Sequence, residues 1–67
     1  EVGLGYYREA LALNPDFVLA REYLGEAYIT LGDLGAAKDQ LSEIEKRAGR
    51  QSAEFAALEK QIVAAGG

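Results

Sequence analysis

Arg21-Glu22-Tyr23-Leu24-Gly25-Glu26-Ala27-Tyr28-Ile29-Thr30-Leu31-Gly32-Asp33-Leu34-Gly35-Ala36-Ala37 decides how this chain folds. Phe17, Ala20, Leu24, Tyr28 and Leu31 recur at steps of three and four, the core period of a helix. Gly32 ends that helix, because glycine takes the left-handed conformation at little cost. Asp33 is placed to cap the next one with its carboxylate. Two helices joined by a Gly-Asp turn therefore lie at the centre of the sequence, with Leu24-Gly25-x-x-Tyr28 on the first and Ala37 and Leu41 on the second.

Outward from this centre the same reasoning places two more helices. Upstream, a segment from about Val2 to Leu13 stops before Asn14-Pro15, since a proline disfavours the helical conformation in the residue before it. Pro15 and Asp16 are expected to open the second helix, where proline suits the first turn and an early carboxylate complements the dipole. Downstream, Leu34, Ala37, Leu41, Ile44 and Ala48 form one stripe, with Lys46 and Arg47 in the last turn and Gly49 as the stop. Ser52 then reads as an N-cap for a final helix carrying Phe55, Leu58, Ile62 and Ala65, closed by Gly66-Gly67. The fold class is all-α, with four short antiparallel helices in helix–turn–helix order.

Composition sets the limits. Sixty-seven residues make one small domain, which buries only about 60% of the surface its unfolded chain exposes. There is no Cys and no His, which removes disulfides, thiolate and imidazole metal ligands and the commonest general base. The net charge of −4 disfavours nucleic acid and anionic membranes, both of which need basic patches. No apolar run is long enough to span a bilayer. The glycines lack phosphate-loop spacing. Asp39, Glu43 and Glu45 have no partner residue type or ligand loop that would make them a metal or acid–base site. Ser42 and Ser52 lack a base. No catalytic residue, metal site or cofactor is expected. Glu1 in place of Met makes the chain read as a fragment or a mature product.

A period of about 34 residues orders the whole chain. That shift lays Gly3 on Ala37, Tyr7 on Leu41, Ala10 on Ile44, Leu24 on Leu58, Tyr28 on Ile62 and Gly32-Asp33 on Gly66-Gly67. Apolar falls on apolar and turn on turn. With Leu24-Gly25-x-x-Tyr28, Ala37, Leu41 and Pro15 in these places, the chain resembles the tetratricopeptide repeat, a helix–turn–helix unit that stacks on copies of itself. The resemblance implies that Gly25 and Ala37 let the two helices of a unit touch. It divides the chain into the second helix of one repeat (1–14), one whole repeat (15–49) and a capping helix (50–67). Two positions depart from the pattern: Arg21 replaces a frequent large apolar residue, and Glu59 replaces the small residue that Gly25 supplies. Glu59 suits an end cap with a polar outer face.

The resemblance also implies a function class: a scaffold that binds a protein or peptide, without catalysis. The matching inner-face residues are Leu19, Glu22, Tyr23, Glu26, Ile29 and Thr30, a mixed acidic and apolar patch suited to a basic or amphipathic segment. Some members of the family grip a chaperone's acidic tail with Lys, Arg and Asn at such places; Glu22 and Glu26 have the opposite sign for that. Two other readings compete. In one, the chain is a structural cap or a homodimerising element, in which Val2, Gly3, Tyr7 and Ala10 form the exposed contact surface. In the other, it is the regulatory part of a larger, enzymatic protein.

Overall fold

A computed structural model describes residues 2–67, with only the backbone of Val2 and Gly3 described. It contains α1 (Val2–Leu13), α2 (Val18–Thr30), α3 (Leu34–Ala48) and α4 (Ala53–Ala64). Among the described residues, α1 packs on α2 alone, whereas α2, α3 and α4 pack on one another. The molecule is only 15 Å thick against 31 and 28 Å in its other dimensions. A helix with its side chains is about 10–12 Å across, so every helix keeps one face toward solvent.

The turns follow their local chemistry. Asn14-Pro15-Asp16-Phe17 is a β-turn, with the Phe17 N–H donating to the Asn14 carbonyl at 3.0 Å. The Asp16 N–H also donates to Asn14 Oδ1. Pro15 and Asp16 thus occupy the two central turn positions instead of opening α2, which starts at Val18. Asn and Pro favour the first two places of such a turn, and that preference outweighs proline's fitness for a helical first turn. Phe17 becomes the N-cap and contributes no side-chain cap. In α3 and α4 the caps are as the sequence predicts: Asp33 accepts from the Ala36 N–H and Ser52 from the Phe55 N–H.

At the end of α2, the Asp33 N–H reaches the Tyr28 carbonyl and the Gly32 N–H reaches Ile29, with Gly32 at φ +83°. Thirty-four residues later, Gly67 and Gly66 make the same two bonds to Ile62 and Val63, with Gly66 at φ +96°. This double-bonded glycine ending is the clearest structural expression of the internal period.

Two apolar clusters form, and Tyr28 joins both. The larger contains Ala37, Ile44, Phe55, Leu58 and Ile62, flanked by Val18, Ile29 and Leu41. The smaller contains Leu11, Ala20 and Leu24, flanked by Leu4, Tyr7 and Ala10. Phe17, Leu31 and Ala48, expected on core stripes, are exposed, as is Ala65, the C-cap of α4. The first two flank α2 instead of lying within it, and Ala48 is in the last turn of α3, where no helix covers it. Val18 takes the inward place expected of Phe17.

Gly25 also serves a different neighbour from the one expected. A Cβ built there would meet Leu58 side-chain carbons at 2.6 and 2.7 Å. The missing side chain therefore admits α4 against α2. Ala37 is fully buried in the same cluster.

Candidate partner-binding face

Residues three and four apart on a helix share a face. On α2 this brings Leu19, Tyr23, Glu22, Glu26 and Thr30 onto the side away from α3, and they separate into two groups. Leu19 and Tyr23 turn toward α1. With Ala20, Tyr6, Tyr7 and Phe17 they line an open cleft of about 200 Å³. Tyr23, Phe17 and Leu19 are each about two-fifths exposed, and Tyr6 is two-thirds exposed. The Tyr7 ring meets Tyr6 edge-on at 5.4 Å and leans against Tyr23 at 5.8 Å and 50°. None of these pairs is stacked face to face.

Glu22 and Glu26, one turn apart, turn toward α4. Burial pushes the Glu22 carboxyl above the ordinary carboxylate range, and a hydrogen bond and repulsion from Glu26, then the charge of Glu54, add to the shift. The face thus presents a carbon-lined cleft beside carboxylates that repel one another.

The remaining residues assigned to this face from the sequence do other work. Ile29 is half-buried against the larger core cluster. The Thr30 hydroxyl donates to the Glu26 carbonyl at 3.2 Å. Of the residues expected to form a self-association surface, Tyr7 and Ala10 are half-buried and pack on the smaller cluster. The Val2 side chain and the burial of Gly3 lie outside what is described.

Sequence reasoning did not assign Tyr6 or Phe17 to a site. The available signal was their concentration: five of the six aromatic residues fall between positions 6 and 28. Phe17 had been read as core by its spacing.

Elsewhere the polar contacts brace the scaffold. Arg47 donates to Asp16 at 2.8 Å and to Glu43 at 3.1 Å, which ties the α1–α2 turn to α3. Lys46, and then the hydrogen bond from Arg47, hold the Glu43 carboxyl below the ordinary carboxylate range. Arg21 donates to the Pro15 carbonyl and to Gln40. Among the described residues, no group of three acidic side chains is placed to hold a metal ion. No helix among the described residues is long and apolar enough to cross a membrane.

The family comparison agrees with this architecture. A family model for the tetratricopeptide repeat matches residues 3–62. No curated protein and no solved structure matches the chain significantly. A match over nearly the full length, with an all-helical fold that repeats its own glycine turn after 34 residues, leads to one conclusion: the chain belongs to the tetratricopeptide-repeat family.

Proposed function

We propose that this chain is a non-catalytic module that binds a basic, amphipathic protein segment along the open face of α2. Tetratricopeptide repeats generally mediate protein–protein interaction. The observation that supports the finer reading is the pairing of an apolar cleft with repelling carboxylates on one helix. An apolar side chain entering the cleft leaves water, and a Lys or Arg beside it relieves the repulsion of Glu22 and Glu26. Burial supplies affinity and charge supplies selectivity and rate. On this reading residues 1–14 are the second helix of one repeat, 15–49 a whole repeat and 50–67 a capping helix.

Double charge reversal, Glu22→Lys with Glu26→Lys, tests the proposal. Both carboxylates lie outside the apolar clusters, so the fold is expected to persist by circular dichroism. Fluorescence anisotropy of a labelled amphipathic peptide bearing Lys and Leu should show binding to the native chain and at least ten-fold weaker binding to the variant. Unchanged binding would sink the carboxylate role. Unchanged binding together with a concentration-dependent change in mass by light scattering would favour homo-oligomerisation.

A further inference from the structure

We propose that α1 carries an interface of its own, on which a second copy of this chain docks its α1 antiparallel about a two-fold axis. Tyr6, Ala10 and Leu13 stand at steps of four and three, so they share one face of α1. This stripe differs from that of Leu4, Tyr7 and Leu11, which packs with Ala20 and Leu24 of α2. Tyr6 is 66% and Leu13 84% exposed, and Ala10 between them is half-buried.

The internal period shows the same stripe in a covered state. Shifted by 34 residues, Tyr6, Ala10 and Leu13 become Gln40, Ile44 and Arg47. Those α3 residues receive α2: Gln40 accepts from Arg21, Ile44 is fully buried, and Arg47 donates to Asp16 in the turn before α2. On α3 the stripe therefore holds a helix between two polar anchors. On α1 large apolar side chains stand in both anchor places, so a helix seated there must answer with carbon instead of charge.

α1 of a second copy supplies that answer. In a two-fold contact residue i meets j and j meets i. With the axis between Glu9 and Ala10, the Tyr6 of each copy meets the Leu13 of the other. Ala10 then lies near the axis, where its small side chain permits close approach, and each Glu9 lies beside an Ala10 instead of a second Glu9. Residues 2–13 carry one cation, Arg8, and one anion, Glu9, so the two helices bring no net charge together. A two-fold contact through Glu22 and Glu26 of α2 would instead oppose like charges, which is costly.

The available area is sufficient. Five of the seven exposed large apolar residues lie between positions 6 and 23. Tyr6 joins the stripe to the cleft it lines with Phe17, Leu19 and Tyr23. With Leu13, these residues leave roughly 450 Å² of apolar surface open. At the about 65% apolar area of homodimer contacts, that corresponds to roughly 700 Å² per copy, near the about 800 Å² of a standard interface. The contact goes beyond the partner reading and stands without it. Because Tyr6 also lines the cleft, a docked copy covers the mouth of the cleft and a partner segment must displace it.

Sedimentation of the full chain without peptide, from micromolar to millimolar concentration, tests the contact. A monomer–dimer equilibrium is expected. Tyr6→Lys and Leu13→Glu, both at exposed positions and checked for helicity by circular dichroism, should each weaken dimerisation about ten-fold or more. Val63→Glu, at an exposed place on α4, should leave it unchanged. Mixing the Tyr6→Lys and Leu13→Glu chains should restore a heterodimer, since one contact becomes Lys with Glu and the other stays Tyr with Leu. A monomer throughout, a dimer indifferent to Leu13→Glu or lost in Val63→Glu, or no recovery on mixing would each overturn it. None of these readouts involves the partner peptide or Glu22 and Glu26, so the two proposals fail separately.

Discussion

The helix pairs α1–α2 and α3–α4 are built on one pattern and end in different states. Leu24 and Leu58 occupy equivalent positions, as do Tyr7 and Leu41. In the second pair, α2 lies across both helices, and Ile44 and Leu58 are fully buried. In the first pair no described helix lies across both members, since α3 and α4 pack on α2 and not on α1. Leu24 is still buried, because Tyr7, Leu4 and Ala10 close over the smaller cluster, but Tyr6, Tyr23 and Leu19 stay partly open. Burial is therefore a property of what lies on top of a pair as much as of the pair's own pattern. Where α2 covers, the pattern becomes core; where it does not, bulky aromatics turn it into a cleft.

Truncation should separate the pairs most strongly. Leu58→Ala removes a side chain fully buried between three helices and should cost toward the upper end of the roughly 2–5 kcal/mol range for such changes. A chain of this size holds only about 3–10 kcal/mol in total, so this variant should lose about half of its stability or more. Leu11→Ala, at 9% exposure in the open pair, should cost toward the lower end and leave a folded chain. Urea denaturation followed by circular dichroism measures both; equal losses would break the comparison.

Glycine substitutions sharpen it further. Gly25→Ala drives a methyl into Leu58, an overpacking cost of about 1–3 kcal/mol that exceeds the gain in helix propensity. At Gly5 nothing lies within 4 Å of the added Cβ. Gly5→Ala should therefore stabilise by up to about 1 kcal/mol. Opposite signs in the denaturation midpoints are expected. Ser52→Ala removes the α4 cap and should cost about 1 kcal/mol, whereas α2 has no side-chain cap to lose.

The smallest effect concerns pH. The folded-state pKa of Glu22 is raised, so the folded chain holds its proton more tightly than the unfolded chain does. Ionised Glu22 therefore opposes folding, and its contribution weakens stability as pH rises from the ordinary carboxylate range through the raised value. Glu22→Gln should remove that slope and raise stability at neutral pH by a few tenths of a kcal/mol, the size of a like-charge pair one turn apart. Glu43 has the opposite sign. Its pKa is lowered, so its contribution is present above the ordinary range and is lost as pH falls. Denaturation midpoints of the two Gln variants across pH 3–7 distinguish them.

Much of this was readable from residue types and spacing. Gly32, Asp33, Gly49 and Ser52 mark helix ends through backbone conformation and capping, which are local effects carried by one or two residues. The all-helical class and the glycine turn repeated after 34 residues follow in the same way. Three features did not. Phe17 was assigned to the core by spacing, yet an Asn-Pro turn moved it outside the helix. Gly25 was assigned to contact within a helix pair, yet it receives Leu58 from α4. The open face of α2 was read as one patch of six residues, yet packing divided it: Leu19 and Tyr23 to a cleft, Glu22 and Glu26 to a carboxylate pair, and Ile29 to the core.

The sequence by itself determined the helices, their ends apart from the start of α2, and their repeating order, because hydrogen bonding, capping and helical period act over a few neighbouring residues. Only the tertiary structure decided which apolar residues are core and which line a cleft. That depends on which helix covers which face, and contacts such as Gly25 with Leu58 or Tyr7 with Tyr23 join residues far apart in the chain.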